Sequence, residues 1–195
     1  MTQDATWKCR TVRPALVRAV AAEYEDAAVG NLDGWAQLLH KAQAFCSEVH
    51  EGTRGVCSVR FAVCVTNFAV RTVDQPYETA DDLARIILDG AYPEPEAPED
   101  WTHPVWTHEE WAQYLQWHDA VGHVESGYGF DPDGELRAFT VHVQGETEAF
   151  AAALFAQQIA PIFYALCRGS FPAIRAALPG PETQGLIDYY RRSPR

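Results

Sequence analysis

The chain has 195 residues, 47% hydrophobic and 22% charged, with six Trp, eight Tyr and nine Phe, which suits one packed globular domain and excludes a disordered one. Its 15 basic against 27 acidic residues leave a net charge of −12, which repels a phosphate backbone. The only basic cluster, Arg191, Arg192 and Arg195, is too short to reverse this, so nucleic acid and anionic membrane are excluded as partners and a small molecule is expected instead.

In chain order, Leu16, Val17, Val20, Tyr24 and Ala27 recur at helical spacing after Pro14, which suits a first turn. Asn31 to Gly34 punctuates, and Trp35, Leu38, Leu39, Ala42, Phe45, Cys46 and Val49 predict a second amphipathic helix, antiparallel to the first. Residues 56–73, rich in Val, Phe and Thr, predict one or two strands. Thr79 to Asp82 opens a helix with acidic residues at its positive end, and Asp89-Gly90 closes it. AYPEPEAPED, residues 91–100, predicts an extended, solvated linker.

Thr107-His-Glu-Glu110 is a capping box, so a helix is expected from His108 to about Val121. Ala149 to Leu166 predicts a buried apolar helix kinked or broken by Pro161 and closed by Gly169. A short helix over Phe171 to Leu178 and a flexible tail from about residue 179 complete the expectation. The fold class is α+β, a mainly helical single domain with a small β component around residues 56–73.

Five cysteines, an odd count without Cys-x-x-Cys, read as reduced thiols rather than a disulfide framework or a thiolate zinc site. The opening MTQDATWKCRTVRP lacks an apolar stretch of signal-peptide length, and no segment is expected to span a membrane. A soluble, cytoplasmic protein is expected, of open oligomeric state. Any metal ligands would be nitrogen and oxygen.

The stretch WHDAVGHVESGYGFDPDGE, residues 117–135, holds those donors. His118 and His123 are five apart, which on an ideal helix separates them by about 140°. They can share an ion only if the helix unwinds between them, and Gly122 is where it would. Over ELRAFTVH, Glu135 and His142 point to opposite faces if the segment is a strand and lie on one stripe with Ala138 and Phe139 if it is a helix. Local sequence leaves both open.

Each residue also has a plainer role. The two histidines could be satisfied polar groups at a helix end, Glu135 a turn glutamate, and His142 an exposed strand residue. Asp119 is expected to orient a histidine rather than to ligate. Trp111, Tyr114 and Trp117, with Trp101 and Trp106, would line an aromatic substrate pocket or simply pack the core.

Two resemblances bear on this stretch. His103-Pro104, His118-Asp119, Gly122-His123, Gly129-Phe130-Asp131, Gly134-Glu135 and Ala138 with His142 resemble the pattern HP, HD-x-x-GH, GFD-x-x-GE, A-x-x-x-H of a family of small actinobacterial and actinophage proteins. That likeness covers about forty residues and implies a common site, not a reaction. His118-Asp-Ala-Val-Gly-His123 is also similar to the His-Glu-x-x-Gly-His iron-ligand motif of the pterin-dependent aromatic amino acid hydroxylases, with Asp119 where Glu stands there.

The second likeness implies two histidines and a carboxylate on one non-haem iron, with adjacent positions open for oxygen and substrate. The sequence therefore predicts a mononuclear site with His118, His123 and Glu135 as ligands and His142 as fourth ligand or acid/base. Fe(II) would serve an oxygenase acting on a small, aromatic substrate. Zn(II) would serve a hydrolase on the same residues. A non-enzymatic acidic interaction protein is the third reading.

Overall fold

A computed structural model describes residues 9–30, 32–66, 69–72, 77–94 and 102–193; the fold is α+β and mainly helical, as the sequence predicts. In chain order its elements are α1 (Pro14–Asp26), α2 (Leu32–His50), β1 (Val56–Ser58), β2 (Val63–Val65), β3 (Ala69–Thr72), α3 (Ala80–Leu88), β4 (Ala91–Glu94), α4 (His108–His118), a first π-helical turn (Asp119–Val124), α5 (Pro132–Val143), α6 (Glu148–Leu154), a second π-helical turn (Phe155–Ile159), α7 (Ala160–Arg168) and α8 (Pro181–Arg192). The chain gathers into two compact units, one taking residues up to Gln37, Thr102–Val105 and everything from Asp131, the other Leu38–Trp101 and Trp106–Phe130.

In the first unit, Pro14 sets the opening dihedral of α1, and Val17, Val20, Ala21 and Tyr24 form its buried face, packed on α7 and α8. α6, the second π turn and α7 run on as one helix. The Ala160 N–H reaches five residues back to the Phe155 carbonyl. Pro161 follows directly; it has no N–H to donate and its ring crowds the carbonyl four back, so the wider turn absorbs the misfit expected of it. Gly169, at φ 82°, ends the helix and returns its N–H to the Ala165 carbonyl.

Residues 149–167 carry no charge, contrary to the expectation that no segment is long and apolar enough to span a membrane. The helix Glu148–Arg168 meets that length and composition, but 83% of its apolar window is buried inside the fold, where it serves as the core helix. Around it Phe139, Phe155, Phe163 and Tyr190 meet edge to face, with ring centroids 5.4 Å (Phe139–Phe155), 6.4 Å (Phe155–Phe163) and 6.2 Å (Phe139–Tyr190) apart. Burial of each phenyl ring stabilises the unit by about 1.5–3 kcal/mol.

Two expectations fail in this unit. Residues 171–178 are extended, not helical: the Leu178 N–H bonds the Ala28 carbonyl at 3.0 Å, the Gly30 N–H bonds the Ala176 carbonyl at 2.9 Å, and the Arg175 guanidinium caps the carbonyls of Tyr24, Glu25 and Ala27 at the end of α1. The segment satisfies α1's orphan carbonyls, and that overrides its local helical pattern. Nor is the chain beyond residue 179 a flexible tail. α8 buries Thr183, Leu186, Ile187 and Tyr190, and Glu23 caps its first turn by accepting from the Glu182 and Thr183 N–H groups.

In the second unit α2 buries Leu38, Ala42, Phe45, Cys46 and Val49; the helix begins at Leu32, so Gly34 lies inside it rather than before it. The capping box of α4 forms as expected: the Thr107 hydroxyl accepts from the Glu110 N–H and the Glu110 carboxylate accepts from the Thr107 N–H at 2.8 Å. Thr79 caps α3 with its hydroxyl alone, which accepts from the Asp82 N–H.

Among the described residues, the β-rich segment 56–73 holds three short strands where one or two were expected. β1 and β2 form an antiparallel hairpin, and β3 pairs in parallel with β4, Ala69 opposite Ala91 through Thr72 opposite Glu94. Residues 91–94 are thus a strand where a linker was expected, because ladder partners outweigh the prolines; 95–100, the rest of that linker, and Trp101 lie outside the described residues. Cys57 and Cys64 stand directly opposite in the hairpin, with Cα atoms 4.0 Å apart, and form a disulfide, contrary to the reading of all five cysteines as reduced. Cys9 and Cys167 are free thiols.

Candidate metal centre

α4 hands over to a π-helical turn at Asp119, and the π turn solves the spacing problem. Its hydrogen bonds run from residue i+5 to residue i, as from the Glu125 N–H to the Ala120 carbonyl at 2.8 Å, so residues five apart stack as residues four apart do in an α-helix. His118 and His123 therefore share a face without the unwinding expected at Gly122, which stays inside the turn and has no left-handed dihedral.

The two imidazoles meet edge to face, with Nε2 atoms 3.1 Å apart and exposures of 4% and 1%. Their orientation is fixed from several sides. The His123 Nδ1–H donates to the Tyr128 carbonyl at 3.2 Å, which leaves Nε2 as the lone-pair nitrogen. Phe130 packs edge-on against His123 at 4.5 Å, and Tyr114 stacks on His118 with planes only 5° apart.

Tyr128 reaches back because the chain reverses at Gly127, whose φ of 74° an L side chain adopts only under strain. The Gly127 N–H closes the turn onto the His123 carbonyl at 2.8 Å. The β1–β2 hairpin holds the same corner: the Val59 N–H bonds the Val124 carbonyl, Arg60 donates to the Gly127 carbonyl and Arg54 pairs with Glu125 at 3.2 Å. Burial pushes the Glu125 carboxyl up, opposed by the Arg54 guanidinium.

α5 settles the question left open for residues 135–143, since they are helical and Glu135, Ala138, Phe139 and His142 lie on one stripe. Asp131 caps this helix by accepting from the Asp133 and Gly134 N–H groups, and Pro132 occupies its first position. Glu135 thus stands in the first turns, where the helix dipole favours a carboxylate. His118 and His123 belong to one compact unit and Glu135 to the other. Among the described residues these three are donors that could hold a metal ion.

The spacing of the nitrogens tests that fit. Two imidazole nitrogens held about 2.1 Å from one ion lie about 3.0–3.4 Å from each other, from octahedral to tetrahedral geometry. The observed 3.1 Å falls in that range.

Asp119 is buried and accepts a hydrogen bond from the Tyr77 hydroxyl. His142 is buried at 2%, in the last turn of α5. Tyr114 and Trp117 are each 2% exposed, while Trp111 is half-buried beside His108. The sequence reading missed Tyr77, Tyr128, Gln157 and Gln158. For the two glutamines a signal existed: they are the only polar side chains between Ala149 and Ile162, inside the most apolar stretch of the chain.

No protein-family model matches this chain, and neither a curated protein nor a solved structure does so. The functional reading rests on the site's own geometry.

Proposed function

We propose that the protein is a metal-dependent enzyme with one non-haem Fe(II) held by His118, His123 and Glu135, an oxidoreductase that uses oxygen on a small, aromatic substrate. The observation that carries this reading is the pair of facing Nε2 atoms, 3.1 Å apart. Two imidazoles and one carboxylate suit Fe(II), and when bound the ion supplies adjacent open positions at which oxygen and substrate meet.

The chain's own residues do the rest. Tyr128 fixes the His123 tautomer, and Tyr114 and Phe130 hold the two rings against rotation. Asp119, next to His118 in the chain, is set by the Tyr77 hydroxyl and would orient that histidine. His142 follows Glu135 by two helical turns, about 10 Å along the axis, which suits an acid/base better than a fourth ligand. Trp111, the half-buried member of the aromatic stripe, has ring surface to offer a substrate, with Tyr114 and Trp117 behind it.

The same donor set also serves catalytic zinc, so a zinc hydrolase is the second reading. Elemental analysis of protein purified without affinity histidines separates the two. About one equivalent of iron per chain, lost in His118→Ala and Glu135→Ala, supports the oxygenase; zinc in its place supports the hydrolase. Protein that cannot be loaded with either is an acidic interaction protein whose histidines are structural.

A further inference from the structure

We propose that Gln158 is the positioning residue of this metal centre, acting through Glu135. The inference rests on the metal reading above and adds a residue that the ligand motif does not contain.

Gln157 and Gln158 lie in the second π turn, with exposures of 8% and 7%. A buried carboxamide costs about 1–3 kcal/mol unless its polar atoms are paired, so each needs a purpose inside an apolar helix. Gln157 has one: its Oε1 accepts from the His103 ring nitrogen Nε2 at 2.9 Å.

Gln158 grips a single residue twice. Its Nε2 lies 2.9 Å from the Glu135 main-chain carbonyl and 2.9 Å from the Glu135 carboxylate Oε2. Both partners are acceptors, so the NH2 must face them and the amide orientation is unambiguous. One N–H pins the backbone of α5 and the other pins the carboxylate, which removes the freedom a glutamate otherwise has about three side-chain bonds.

The other end of the amide supplies an independent sign. Gln158 Oε1 is buried and has no hydrogen-bond partner among the described residues. Its unsatisfied lone pairs belong to the same planar group that touches Glu135, whose other carboxylate oxygen would be left to offer to an ion. A proton donor at that ion, such as a bound water, is the partner this acceptor suits.

The test is a double-mutant cycle on the full chain, with Co(II) and Zn(II) affinities measured by chelator competition and the Co(II) visible spectrum recorded alongside. Gln158→Met keeps the volume and removes both donors. It is expected to weaken binding about 10–100-fold and change the Co(II) spectrum in the wild-type background, yet to change neither in the Glu135→Asp background, which keeps a carboxylate donor but shortens it out of reach of the Gln158 amide. Gln158→Glu, of the same shape, checks the result should Gln158→Met fail to fold, and is expected to show the same dependence on background. Equal effects in both backgrounds, or unchanged affinity in both variants, would overturn the proposal. Wild-type protein that binds neither ion would instead overturn the metal reading, and this inference with it.

Discussion

His118 and His123 present their Nε2 atoms to each other across 3.1 Å, and the Tyr128 carbonyl already holds the proton of His123 on its other nitrogen. Without an ion, His118 must donate into the His123 lone pair. With one, both lone pairs turn to the metal. His118→Ala is therefore expected to abolish stoichiometric metal in elemental analysis, and acidification to release it, because protons compete for the same lone pairs and for the carboxylate. Metal content that is unchanged in His118→Ala, or insensitive to acid, would contradict the assignment.

Gly127 carries the reversal that returns Tyr128 to His123. A Cβ added there meets nothing closer than 3.8 Å, so Gly127→Ala isolates the cost of the left-handed backbone, about 1–2 kcal/mol. Denaturant unfolding should show that loss, and metal affinity should fall with it as the His123 tautomer loses its anchor. A variant as stable as wild type would mean that the turn relaxes freely.

The Cys57–Cys64 bridge closes a hairpin whose Val59 N–H bonds the last residue of the first π turn. Cys57→Ser/Cys64→Ser should lower stability by about 2 kcal/mol, from restored loop entropy in the unfolded chain. Hydrogen exchange should rise first at Val59. Identical exchange in oxidised and reduced protein would show that the clasp does not support the corner.

Tyr24 provides a pH test remote from the metal. Burial pushes its hydroxyl up from 10 to about 12, against the opposing Arg175 N–H and guanidinium. The folded state thus keeps a proton that the unfolded state releases. Stability is complete below pH 10 and falls as pH rises from 10 toward 12, by up to about 1.4 kcal/mol per unit. Tyr24→Phe should start less stable, having lost the bond from the Arg175 N–H, and then decline less steeply through the same window. Parallel decline in both proteins would reassign the alkaline loss elsewhere.

What sequence conveys here follows from how local each determinant is. The capping box of α4, Pro14 at the head of α1 and Gly169 at the end of α7 act within a few residues, and each is legible. Residues 171–178 are extended because Arg175 and two backbone bonds serve the end of α1, some 150 positions earlier in the chain. No window around Phe171 contains that information.

The candidate ligands were legible as residue types, since two histidines and a glutamate on Gly/Asp-rich turns are uncommon outside such sites. Their coming together was not, because an α-helical period places His118 and His123 apart. Only the wider turn from Asp119 to Val124 reconciles them. Glu135 was ambiguous for the opposite reason: ELRAFTVH fits either period, and the Asp131 cap decides in favour of the helix.

That wider turn is an α-helix carrying one residue more than its ladder needs. Deleting Val121 would return the ladder to four-residue steps and set the two histidines four apart, a spacing that an α-helix also places on one face. Straightening the turn into an α-helix with every residue kept would instead swing them about 140° apart. In hereditary terms the extra residue and the wide turn are inherited as a pair: a relative lacking both could still pair its histidines, and one keeping the residue without the turn would hold both histidines and point them apart.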